Sequence, residues 1–78
     1  MNIYTQAFRA TCPNNGRSVD YLLRIEAPRM IIVEDIQAAV ADLKGYHESF
    51  ADELWQKFGG RQTLTAHHHG TDVATVRP

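Results

Sequence analysis

The hydrophobic period of this chain changes at Pro28, and that change limits what it can fold into more than any other feature. Before Pro28 apolar residues recur at every second position, the repeat of a half-buried strand; beyond Ile36 they recur every three or four, the repeat of one helical face. Both kinds of element must share one core, because 78 residues are too few for two. The expectation is a single α+β domain spanning residues 1–78, with a helix laid on one face of an antiparallel sheet.

The first strand runs from Ile3 to Cys12, with Tyr4, Phe8, Ala10 and Cys12 on one side and Thr5, Ala7, Arg9 and Thr11 on the other; Gln6 interrupts the apolar side. Pro13, Asn14, Asn15 and Gly16 form a turn cluster that tolerates the positive φ of a tight hairpin. Val19, Tyr21, Leu23, Ile25 and Ala27 then alternate against Asp20, Leu22, Arg24 and Glu26 until Pro28, which lacks a donor, ends regular pairing. Ile36, Val40, Leu43, His47, Phe50, Leu54 and Phe58 mark one long amphipathic helix over residues 34–58. Glu34 and Asp35 suit its first turn, and Gly59–Gly60 supplies its exit. Such a rod measures roughly 37 Å, and Gly45 inside it invites a kink. Thr63 to Val76 is β-rich and is interrupted at Gly70. It reads either as one bent strand with a bulge or, given ordinary strand lengths, as a hairpin turning at His69–Gly70. The expected order is therefore ββαβ or ββαββ.

Composition narrows the function classes. No basic start followed by an apolar run and no stretch of about eighteen apolar residues is present, so the reading is a cytoplasmic chain with no membrane partner. Cys12 has no second cysteine to pair with. The net charge of −1 is uneven: Val33 to Phe58 holds six acids against two lysines, −4, while the remainder holds six arginines against three acids, +3. A pI near 6.4 and the absence of an aromatic platform among Thr5, Arg9, Thr11, Arg24, His67 and His69 argue against nucleic acid.

Three consecutive histidines are the one unusual motif. Strand alternation sets His67 and His69 on one face as a pair of candidate metal ligands, with His47, Cys12 or Asp72 needed to complete a zinc site. Read as ordinary polar strand residues, the same histidines carry no metal, and no other cofactor is implied. His47 stands in the helical stripe, where burial demands a hydrogen-bond partner. Cys12, on the apolar side of strand one, reads as a buried thiol. No phosphate loop, paired-cysteine motif, His-Glu-x-x-His or nucleophile elbow is present, so an enzyme is unsupported. Tyr46 and Trp55 flank the stripe, and Glu48 and Asp52 belong to the acidic helix back. A helix that overruns its sheet leaves apolar surface best buried by another chain. The leading expectation is thus a non-catalytic protein-binding module, an adaptor or inhibitor of a larger macromolecular machine or a homodimer, docking through Tyr46, Glu48, Asp52 and Trp55. Size and charge alone suggest the analogy with small regulators carried by mobile elements. The alternative is a metal-binding protein using His67, His69 and His47.

Overall fold

The structure, a computed structural model, describes all 78 residues. Strands β1 (Asn2–Thr11) and β2 (Ser18–Ala27) form the first hairpin, helices α1 (Val33–Ala41) and α2 (His47–Phe58) follow, and β3 (Arg61–His68) and β4 (Thr71–Arg77) close the chain. All neighbours pair antiparallel in the order β1-β2-β3-β4, so the sheet has four strands and two open edges. The C-terminal β segment takes the hairpin form, turning at His69–Gly70.

The single long helix expected over 34–58 is instead two helices. Gly45 adopts φ 129°, which no helix accommodates, and Tyr46 is extended at φ −106°, ψ 161°. The apolar stripe passes through this break without losing register, which is why periodicity alone joins its halves. Ile36, Ala39 and Val40 are buried from α1, and Phe50, Ala51, Leu54 and Phe58 from α2, while Leu43, within the break, is half-buried. Folding the rod in two lets it cover more of the sheet: α1 lies against β1 and α2 against β3 and β4.

The core sits between this helical layer and the inner sheet face. Leu23, Ile25, Phe50, Leu54 and Leu64 are its largest fully buried side chains. At one end Phe8 stacks on Tyr21 with centroids 4.9 Å apart, and Phe50 meets Tyr21 edge-on at 5.4 Å. At the other end Gln62, though polar, is buried because its amide nitrogen donates to the carbonyls of Leu54 (3.0 Å) and Gly59 (2.8 Å), which terminate α2. Gly60, with φ 71°, follows where the chain passes against the β2 backbone at Glu26.

Candidate interaction surface

Neither helix covers the outer sheet face, and its chemistry follows from the register. Ala7, Leu22, Thr65 and Ala74 form a row across its middle, flanked by a row of Thr5, Arg24, Thr63 and Val76. Leu22 and Val76 are both nearly half exposed. Each charged side chain of this face has a polar partner within it. Arg9 pairs with Asp20 at 2.8 Å, Arg24 and Arg61 both meet Glu26, and His67 meets Asp72 at 2.7 Å. Each such exposed pair adds little stability. Their effect is that no isolated charge on the face would have to be stripped of water against another protein.

The two edges differ. β4 is short, carries Asp72 and Arg77 near its ends, and is strapped at its end. There Arg77 binds Asp52 at 2.8 Å, and the Trp55 indole N–H lies 3.0 Å from the Pro78 carbonyl and 3.1 Å from that of Gly60. β1 offers ten residues with unbroken pairing to β2 and its other side free. Natural sheets shield edges with charge, proline, bulges or covering loops. β1 has no proline or bulge, and its sole charged side chain, Arg9, is engaged by Asp20. Its inward-facing aromatics Tyr4 and Phe8 remain half-buried, packed on the core but not enclosed by it.

The three candidate metal ligands lie apart. His67 is on the outer face opposite Asp72, the meeting that the hairpin register allows. His69 leaves the strand for the turn at φ 52°, so the shared face expected for His67 and His69 does not form; alternation holds only while the backbone stays extended. His47 lies on the helix side, its Nε2 2.8 Å from the Thr75 hydroxyl on β4. Cys12 is half-buried against the core as a free thiol. His68, the one histidine the strand pattern set aside, shares two small hollows of about 170 and 150 Å³ with His47 and Tyr21.

His47 Nδ1 is fully buried with no well-formed hydrogen bond. Burial holds the imidazole below its usual value of 6.5, outweighing Glu48 and the Leu64 carbonyl, which favour the cation, while Arg77 opposes it. The Tyr21 ring stands 5.7 Å away, and burial raises the phenol of Tyr21 in turn. A depressed histidine lets the unfolded chain take up its proton first. The contribution of His47 is therefore complete above about pH 6.5 and lost as pH falls below it. Thermal melts of wild type and His47→Gln should thus converge on acidification between pH 7 and 5; a constant difference would contradict the assignment.

The helix back expected to dock a partner is partly occupied. Asp52 is engaged by Arg77, Trp55 holds the chain end, and the Tyr46 hydroxyl donates to Asn14 at 3.0 Å. Glu48 stays exposed, with no ion pair. The β1 edge is not among the docking residues that the sequence pattern indicates. Its signal, ten alternating residues with one charge and no proline, is present there, but not which strand would be outermost.

No protein-family model matches this chain, and no curated protein matches its sequence. Among solved structures, the apo crystal structure of the archaeosine synthase QueF-Like superposes with a TM-score of 0.73 at 17% sequence identity, covering 97% of this chain and 89% of that one. A likeness at that identity is one of fold, and fold does not carry activity.

Proposed function

We propose that this protein is a protein-binding module that works by docking rather than chemistry, and that a second copy of the chain pairs along its β1 edge. The observation that carries the reading is the ten-residue unshielded edge with half-buried aromatics beside it. A strand that pairs antiparallel with its own copy must keep inward residues opposite inward residues. Centred on Gln6, such pairing sets Tyr4 against the partner's Phe8 and Thr5 against the partner's Ala7. Arg9 then falls opposite the partner's Ile3, so no like charges meet. Aromatic pairs across strands contribute roughly 0.2–1 kcal/mol each, in addition to the apolar surface removed from water. The product is one eight-stranded sheet with all four helices on one side. Membrane insertion plays no part in this reading; no helix here is long and apolar enough to cross a bilayer.

Light scattering at micromolar concentration is expected to give twice the 8.8 kDa chain mass. Thr5→Lys combined with Ala7→Lys puts lysines opposite lysines on an exposed face and is expected to yield folded monomer. Mixing it with the Thr5→Glu, Ala7→Glu variant should restore the dimer. A wild type that stays monomeric, or a lysine variant of unchanged mass, would overturn the self-pairing, and pull-down of a larger partner by such a monomer would redirect the reading to that partner.

A further inference from the structure

The histidine run that marks the sequence ends at His69, where the two hairpin tips meet. Five of the six arginines have an acceptor within the chain: Arg9 has Asp20, Arg24 and Arg61 have Glu26, Arg29 has the Phe58 carbonyl, and Arg77 has Asp52. Arg17 alone has neither a carboxylate nor a carbonyl; its guanidinium meets only the ring of His69. Its Nη1 stands 3.5 Å from His69 Nδ1, while the Asn15 side-chain nitrogen stands 3.4 Å from His69 Nε2. The Asn15 amide cannot usefully flip, because its oxygen accepts the Arg17 backbone N–H at 3.0 Å. A neutral imidazole has one acceptor nitrogen and an imidazolium has none. In every protonation state, then, at least one N–H of His69 points at another donor.

The backbone fixes where this ring stands. His69 and Gly70 form a two-residue turn with both φ positive, 52° and 83°, a geometry for which Asn-Gly is the favoured pair. Histidine, with Asn and Asp, is among the non-glycine residues enriched at positive φ, so the turn accepts His69 and sets its ring at the hairpin tip. No carboxylate is bonded to Arg17, Asn15 or His69; Asp20 is engaged by Arg9 and Asp72 by His67.

We infer that the paired hairpin tips form an oxyanion site for a phosphate group, gripped from the solvent side by the Arg17 guanidinium and the His69 ring, with the Asn15 amide as third donor. Several acceptor oxygens on one small anion satisfy all three donors at once, and charge-assisted bonds from arginine to phosphate are the strong kind. The site lies at a hairpin tip and does not depend on the β1 pairing.

The test is a titration of the full chain with inorganic phosphate against chloride at matched ionic strength, following the imidazole and arginine side-chain resonances by NMR. Phosphate is expected to move the His69 resonances saturably and chloride not. Arg17→Ala should weaken binding by about tenfold or more, the loss of a charge-assisted bond. His69→Asn, which suits the turn, should melt no lower than wild type yet also bind phosphate more weakly. Methyl phosphate distinguishes the sources: equal or tighter binding assigns the site to a terminal phosphoryl group of a small molecule, and weaker binding to the free anion. Equal shifts with chloride and phosphate, or undiminished binding by Arg17→Ala, would overturn the site.

Discussion

Phe50→Ala is expected to cost about 3–5 kcal/mol, most of the stability of a domain this small. Phe50 is fully buried and its ring meets both Phe8 and Tyr21, so truncation leaves a cavity bordered by the stacked pair that joins β1 to β2. The neighbours cannot collapse into it, because Tyr21 is also packed beside His47 and held within the sheet. Leu43→Ala, in the half-buried break between the helices, is expected to cost less than about 2 kcal/mol. Urea melts at one fixed protein concentration measure both; equal losses would contradict the packing described here.

Gly60→Ala is expected to be the second large effect, about 2–4 kcal/mol. A Cβ at this position would stand 2.5 Å from the Glu26 carbonyl oxygen and 3.3 Å from its carbon, backbone atoms that cannot swing aside. The φ of 71° adds the ordinary penalty of a left-handed L-residue. Gly16 shares that φ but has nothing within 4 Å of its Cβ position, so Gly16→Ala carries only the conformational part, about 1–2 kcal/mol. Comparing the two variants isolates the close approach between the α2–β3 connection and β2. If both lost the same amount, the contact with Glu26 would not matter.

Strand positions and core faces were legible because period two and period 3.6 each report a single physical fact, which side of an element meets the core. Tyr21, Leu23, Ile25, Phe50 and Leu54 are buried as their spacing requires. The helix break was not legible, since Gly45 interrupts the backbone while Val40, Phe50 and Leu54 keep the phase of one continuous face. The histidines failed for a related reason: His67 and His69 share a face only if the strand continues, and the turn at His69 ends it. Neither the register that joins His67 to Asp72 nor the chain end that engages Trp55 and Asp52 leaves a local trace in the sequence, because both depend on which strands become neighbours. The same holds for Arg17, whose lack of a carboxylate or carbonyl partner becomes visible only when every other arginine has been paired.

Self-pairing along β1 is the central claim, and amide hydrogen exchange tests it strand by strand. The amides of β1 that point away from β2 have no partner within one chain, so a monomer leaves them open to solvent. Protection of these alternate amides at high protein concentration, lost on dilution while the β2-facing amides of β1 stay protected, is the predicted result. Rapid exchange of the outward amides at every concentration would contradict it.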